Sequence, residues 1–221
     1  MVKVRVWDLP TRVFHGSLAL SVVGLIATGQ WGGDAMLWHF RFGYAVFTLL
    51  LFRLCWGLVG GHWSRWWQLP LSWRSLMAYK QGLHQPWLTT GHNPAGSWSV
   101  LAMLCWLALQ VGTGLISDDD IANAGPLTSL VSGATVSAAT AWHKGLGKAV
   151  LLVLLALHIG AVTWYKWRKQ QNLLSAMLHG DKMVDSALPA SRDDLITRLG
   201  ACGVLLLCAL LVRWIVSLGT A

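Results

Sequence analysis

Residues 142–165 read WHKGLGKAVLLVLLALHIGAVTWY, from Trp142 to Tyr165. Between Lys148 and Lys166 the only basic or acidic side chain is His158, set deep in an aliphatic run. A bilayer core of about 30 Å takes roughly 20 apolar residues as a helix, so this stretch reads as a membrane span. It also carries two histidines, His143 and His158, where hydrocarbon tolerates ionisable groups poorly.

Working outward, four further stretches have the same character. Val13–Gly33 contains one ionisable residue, His15; Phe42–Gly61 contains Arg53; Asn93–Ser117 contains none; Leu199–Ala221 contains Arg213. The expected spans are 12–32, 39–61, 95–117, 142–166 and 198–219. The composition agrees: of 221 residues, 55% are hydrophobic and 12% charged, against about 25% charged in a soluble domain. Mean hydropathy is +0.52. Disorder is excluded and a soluble enzyme is disfavoured. The net charge of +8 could serve nucleic acid, but its distribution serves the bilayer instead, and no nucleic-acid partner is expected.

That distribution sets an orientation. The 62–94 loop holds Arg65, Arg74 and Lys80 with no acid, and the 167–197 loop opens on Arg168 and Lys169, whereas the 118–141 loop holds Asp118, Asp119 and Asp120 with no base. The positive-inside rule places the N-terminus and the two basic loops in the cytoplasm, and the acidic loop and C-terminus outside. The location expected is the bacterial inner membrane, with several passes and a retained N-terminal segment rather than a signal peptide. Tryptophans gather at span ends (Trp31, Trp38, Trp63, Trp66, Trp67, Trp142, Trp164, Trp167) and read as an interfacial belt. Leu173, Leu174, Met177 and Leu178 recur at helical spacing and read as a short helix lying on the cytoplasmic surface. Cys55, Cys105, Cys202 and Cys208 form no CxxC or CxxCH, which excludes covalent c-type haem; they read as small buried apolar residues.

Depth organises the histidines. His15 falls near the cytoplasmic end of the first span and His158 near that of the fourth; His39 and His143 open the second and fourth spans on the outer side. His143 and His158 are 15 residues apart, about 22 Å along a helix and about 60° off a common face. One helix therefore offers an imidazole to the bundle interior near each leaflet, and His15 can meet His158 inside while His39 meets His143 outside. Two imidazoles fill both axial positions of a haem iron, and bundle cores are common cofactor sites. Zinc would be under-ligated by two histidines with no Cys or Glu beside them. A proton relay would use intramembrane Asp or Glu, yet the spans hold none and the chain has no Glu at all. Two bis-histidine haems are the most economical reading. Propionates need cations: Arg53 and Arg12 are candidates at the inner site, Arg41 and Lys144 at the outer one. Lipid snorkelling for Arg53 and ordinary interfacial charge for the other pair stand as competing readings. Gly43, Gly112, Gly114, Gly145 and Gly147 suit close approach of a porphyrin or plain helix packing.

An ordered set of short motifs runs the length of the chain: Val6-Trp7-Asp8-Leu9-Pro10-Thr11-Arg12-Val13-Phe14-His15; His39 with Gly43-Tyr44; Arg53-Leu54-Cys55-Trp56-Gly57; Gly91-His92-Asn93-Pro94-Ala95-Gly96; Thr113-Gly114-Leu115; Trp142-His143 through Leu157-His158; and Asn172-Leu173 to Gly180. Through these the chain resembles the bacterial cytochrome b561 family, including the b-type cytochrome subunit of nickel–iron hydrogenases. The resemblance implies an all-α integral membrane bundle with a four-helix di-haem core, two haem b groups, and His15, His39, His143 and His158 as axial ligands. The fifth helix is expected outside the core. It further implies electron transfer between membrane quinone and a redox partner such as a hydrogenase, a dehydrogenase or a periplasmic c-type cytochrome. The acidic loop at Asp118–Asp120 could dock a basic cytochrome, although it also simply obeys the topology rule. A stand-alone quinone-coupled oxidoreductase, such as a superoxide oxidase, and a non-haem transporter or scaffold are the alternatives. His62, His84, His92 and His179 receive no role, nor does the Trp-rich 62–94 loop.

Overall fold

The computed structural model describes residues 2–82 and 86–219; His84 lies outside them. The chain is an all-α membrane helical bundle with five helices long and apolar enough to cross a membrane. Four spans are α1 (Leu9–Trp31), α2 (Met36–Val59), α5 (Pro94–Leu115) and α9 (Leu195–Ser217). Each begins up to a turn before its apolar run, and polar caps open three of them. Asp8 caps α1, with Thr11 N–H donating to Oδ1 at 2.8 Å. Asn93 caps α5 through Gly96 N–H at 2.7 Å, and Pro94 supplies a first-turn residue that needs no donor. Asp194 caps α9 through the N–H and hydroxyl of Thr197 at 2.8 and 2.7 Å.

The fourth span departs from the expected 142–166. It is two helices, α6 (Gly133–Lys144) and α7 (Leu146–Arg168). Ser132 starts α6 nine residues before the expected boundary, accepting from Thr135 N–H at 3.2 Å. Gly145 separates the two helices, with ψ at −110°, and its N–H caps α6 on Ala141 O. His143 therefore ends one helix while His158 sits within the next, so the 15-residue rotation argument loses its continuous helix.

The chain forms two compact units. The first comprises Met1–His15, Arg53–Ala102 and Leu157–Val204. Here β1 (Val2–Arg5) pairs antiparallel with β2 (Asp181–Val184), Val2 opposite Val184 and Arg5 opposite Asp181, a small sheet that the apolar pattern did not announce. The same unit holds α3 (Trp73–Lys80), α4 (Pro86–Thr90) and α8 (Leu173–His179), the last at the position expected for the surface helix. Gly180 ends α8 at φ +88°, a left-handed stop that suits glycine. Val6, Trp7, Trp63 and Ala176 form its core. Buried Asp8 knits this unit together, accepting from Gly61 N–H at 3.0 Å, Ser64 Oγ at 3.2 Å and Trp56 Nε1 at 3.3 Å as well as from Thr11.

The second unit comprises Gly16–Phe52, Met103–Ala156 and Leu205–Ala221. Its core is Val22, Val46, Leu50 and Leu107, flanked by Leu151 and Leu155. Asp119 organises the acidic loop by accepting from the N–H groups of Ile121, Ala122 and Asn123. Helix α9 supplies no residue to this core cluster or to the lining of the His39/His143 cavity among the described residues.

Two burial readings need correction. Cys55, Cys105 and Cys202 are exposed; only Cys208 is buried. In a bilayer the outer face of a helix is as apolar as its inner face, so an apolar neighbourhood does not imply burial. The tryptophans also divide. Trp31, Trp38, Trp67, Trp164 and Trp167 are exposed, as a belt requires, but Trp63 is buried and donates to Pro189 O at 2.8 Å.

Candidate functional site

The four membrane histidines stand in two facing pairs, one in each unit. His15 on α1 faces His158 on α7 with ring centres 6.3 Å apart and planes at 48°. His39 on α2 faces His143 on α6 with ring centres 6.2 Å apart and planes at 87°. A metal–imidazole nitrogen bond is about 2.0 Å and the ring centre lies roughly 1.1 Å beyond, so two imidazoles trans on one ion stand about 6.2 Å centre to centre. Both pairs have that spacing. Among the described residues no group of three or more His, Cys, Asp or Glu side chains could hold a metal ion. The donor set thus suits an ion whose remaining ligands come from a macrocycle, not a bare tetrahedral cation.

The His39/His143 pair lies in a cavity of about 450 Å³, within the roughly 300–1,000 Å³ range of cofactor pockets. Aliphatic side chains such as Val22, Leu107 and Leu151 line it, with Lys144, Lys148, Asp118 and Asp119 among its polar residues. The imidazoles are held from behind. His39 Nδ1 lies 3.0 Å from Leu25 O, and His143 Nδ1 lies 2.9 Å from Gln110 O. A carbonyl only accepts, so both Nδ1 atoms carry the proton and both Nε2 lone pairs are free for a metal.

The unit that holds the His15/His158 pair also holds buried side-chain nitrogens without protein partners. Arg53 is 5% exposed, its guanidinium 4.1 Å above the Trp66 ring, and its Nη1 is buried without a partner. Arg12 donates through Nη1 to Leu178 O at 2.7 Å, but its Nε is buried and unpartnered. His92 packs on Trp7 at 4.7 Å, and its Nδ1 is a third buried atom lacking a partner. Burial holds His92 down at about 3, reinforced by the charges of Arg53, His15, Lys182 and His158, so it is neutral at pH 7. Half-buried Lys182 donates to Thr89 O at 2.5 Å. Unsatisfied buried donors are rare in native proteins, and this set fits the carboxylates of a haem.

The sequence-predicted residues divide accordingly. The four histidines come together in the expected pairs, Arg53 and Arg12 share the unit of His15 and His158, and Lys144 lines the cavity. Arg41 does not: it is exposed, 4.8 Å over Trp38, away from the cavity lining. Lys148 lines it instead. His62 stacks edge-on against Trp63, and His179 sits 3.1 Å from Ser175 O at the end of α8, so neither joins a pair. His92 and Lys182 were missed. His92 lies in the quoted Gly91–Gly96 motif, which was its available signal; Lys182, on a strand, gave none.

Residues 6–180 match the sequence model of a family described as prokaryotic cytochrome b561. Among curated proteins, one named as a probable Ni/Fe-hydrogenase B-type cytochrome subunit in Azotobacter chroococcum mcd 1 is 26% identical, over 84% of this chain and 91% of that protein. The same name is borne by proteins of Azotobacter vinelandii, 26% identical with the same coverage, and of Bradyrhizobium diazoefficiens, 22% identical over 81% of this chain and 85% of that protein. No solved structure matches significantly.

Proposed function

This chain belongs to the prokaryotic cytochrome b561 family, and we propose that it is a di-haem member carrying electrons across the bacterial inner membrane between the quinone pool and a redox partner. At the coarser level it is a multi-pass bacterial membrane protein and a b-type cytochrome, an electron carrier whose cofactor is haem b. The observation that carries the di-haem reading is the spacing of the two histidine pairs, 6.3 and 6.2 Å between ring centres.

Haem supplies reversible one-electron chemistry at iron. The chain's own residues do the rest. His15 with His158 and His39 with His143 would hold the two haems, and a haem held by two imidazoles would serve electron transfer rather than oxygen binding. Arg53, Arg12 and His92 offer donors to the carboxylates at one site; Lys144 and Lys148 offer cations at the other. The positive-inside rule puts the N-terminus and the His15/His158 pair on the cytoplasmic side and His39/His143 on the outer side. The hydrogenase-type names of the relatives support a hydrogenase as redox partner. The acidic loop leaves a basic c-type cytochrome as the other class of partner.

The test is spectroscopic. Purified protein is expected to show Soret and α bands sharpening with dithionite and two non-covalent haems per chain by pyridine haemochrome. His15→Ala and His39→Ala should each lose one haem, and a different one. Absence of the bands from wild type overturns the haem reading, and retention of two haems by either variant overturns that ligand. Haem reduction by quinol, with oxidation only on adding a partner, supports the carrier role. Haem reduction by superoxide alone would assign a stand-alone oxidoreductase instead.

A further inference from the structure

Behind the His39/His143 pair the same arrangement occurs twice. On α1, His39 Nδ1 lies 3.0 Å from Leu25 O and 3.4 Å from Thr28 Oγ1, while the Thr28 hydroxyl donates back to Gly24 O at 2.6 Å. On α5, His143 Nδ1 lies 2.9 Å from Gln110 O and 3.4 Å from Thr113 Oγ1, while the Thr113 hydroxyl donates back to Leu109 O at 2.8 Å. With its hydrogen committed to the helix backbone, each hydroxyl has only lone pairs to offer the imidazole. Each Nδ1–H is therefore shared between a carbonyl and a threonine oxygen three residues further along.

The next residue completes the device. A Cβ on Gly29 would lie 3.1 Å from both Cε1 and Nδ1 of His39, and a Cβ on Gly114 would lie 2.9 Å from Cε1 and 3.3 Å from Nδ1 of His143. Such contacts would push either ring off its carbonyl. Neither glycine has a positive φ, so backbone conformation does not explain them; the ring above each one does. The two sets, Leu25…Thr28-Gly29 and Gln110…Thr113-Gly114, have identical internal spacing on different helices. No such anchor is found behind His15 or His158 among the described residues.

We propose that Thr28-Gly29 and Thr113-Gly114 are twin positioning devices that lock His39 and His143 as Nδ1–H tautomers in perpendicular planes and present both Nε2 atoms to one haem iron. The proposal rests on the haem reading above. Thr28 and Thr113 stand outside the cavity lining and act through the ligands, while Gly29 and Gly114 line the cavity beside the two imidazoles, so the threonine variants separate ring positioning from room for the macrocycle. Outer partners of this kind fix ring orientation and raise ligand basicity, and their loss costs about 10- to 100-fold in metal-site affinity.

Ferric low-spin iron between perpendicular imidazoles gives a strongly anisotropic EPR signal, and between less crossed planes a more rhombic one. The 87° pair should give the first type, at a field distinct from that of the 48° pair. The experiment uses the full-length oxidised protein in detergent, with EPR and haem stoichiometry measured on Gly29→Ala, Gly114→Ala, Thr28→Val and Thr28→Ser. The alanine variants are expected to lose or shift the anisotropic signal and to hold that haem about 10- to 100-fold less tightly, with the other signal at full strength as an internal control of folding. Thr28→Val should shift the same signal more modestly, and Thr28→Ser should restore it. Unchanged signal and haem retention in both alanine variants would overturn the proposal, and so would equal loss of both haems from all of them. A wild-type protein without haem bands strikes the haem reading itself, whereas two wild-type haems with insensitive variants strike only the positioning devices.

Discussion

Replacing Arg53 with methionine, which keeps the length of the side chain and removes the charge, should act in opposite directions on the apo and haem-loaded protein. Arg53 is 5% exposed and one of its terminal nitrogens is buried without a partner. A desolvated, incompletely paired cation costs several kcal/mol. The Trp66 ring 4.1 Å from the guanidinium returns about 2 kcal/mol of that. The remainder is a strain in the apo protein of about 2 kcal/mol, which Arg53→Met relieves. A haem carboxylate paired with Nη1 supplies a charge-assisted hydrogen bond and removes the unmet donor, together about 3 kcal/mol. That is roughly a 100-fold contribution to affinity at 1.4 kcal/mol per decade. Thermal melts of apo and loaded protein, with haem titration of the apo form in detergent, measure both effects. Arg53→Met is expected to melt at or above wild type without haem, to bind one haem roughly 100-fold more weakly, and to melt lower when loaded. An apo variant clearly less stable than wild type, with haem affinity unchanged, would show that Arg53 is a packing residue and refute the reasoning.

Other perturbations test the surroundings. Gly57→Ala would put a Cβ 2.0 Å from Trp66 Nε1, displacing the ring that covers Arg53 and breaking its 3.1 Å bond to Leu54 O; overpacking of this kind costs about 1–3 kcal/mol, and the melting temperature should fall with a red- or blue-shifted Trp emission. Asp193, 7% exposed at its side chain, gathers Arg5 at 2.6 Å, Arg198 at 3.1 Å and Leu9 N–H at 3.1 Å, so Asp193→Asn should cost about 2 kcal/mol at pH 7. Burial works against ionisation of Asp193, but its bonds from Arg198, Leu9 and Arg5 prevail and hold its carboxyl below the usual range. A lowered carboxylate stabilises fully above its unfolded value of about 3.9 and loses that contribution as pH falls through the folded value. The gap in melting temperature between Asp193→Asn and wild type should therefore persist from pH 7 to 5 and close under stronger acid; a gap independent of pH would exclude the ion pairs as its cause.

The five spans were legible because a membrane demands long apolar runs, and the four histidines because charge is scarce within them. What the sequence hid has three physical origins. The break at Gly145 was hidden because glycine is ordinary inside membrane helices, and His143, Lys144 and Lys148 around it read as a ligand and interfacial charge at the mouth of one span rather than as a helix end. Burial was hidden because lipid rewards the same residues as a protein core: Val22 is 5% exposed and Val23, its neighbour, 65%. The pairing of β1 with β2 and the grip on His39 and His143 were hidden because both are backbone events. Val2 meets Val184 from the far end of the chain, and the carbonyls of Leu25 and Gln110 carry no side-chain signature. The Thr-Gly dipeptides behind them become informative only once an imidazole is seen lying on each glycine.

With a haem on each pair, as proposed, the differences between the two pairs would order the two potentials. His39 and His143 are each bonded to a backbone carbonyl, which makes the imidazole a more basic ligand and favours ferric iron. The charged residues lining their cavity, Lys144 and Lys148 against Asp118 and Asp119, cancel formally. His15 and His158 have no carbonyl anchor among the described residues, and they share their unit with Arg53 and Arg12, whose unpartnered nitrogens are buried. Positive charge in a poorly solvated setting favours the ferrous state of a neighbouring iron. Ligand basicity and charge thus act in the same sense, and the haem held by His39 and His143 should have the lower midpoint. A redox titration that resolves two components, repeated on His39→Ala to identify which one is lost, checks this. If His39→Ala removes the higher-potential component, the electrostatics of the Arg53 pocket do not govern the iron, and the driving force between the haems runs the other way.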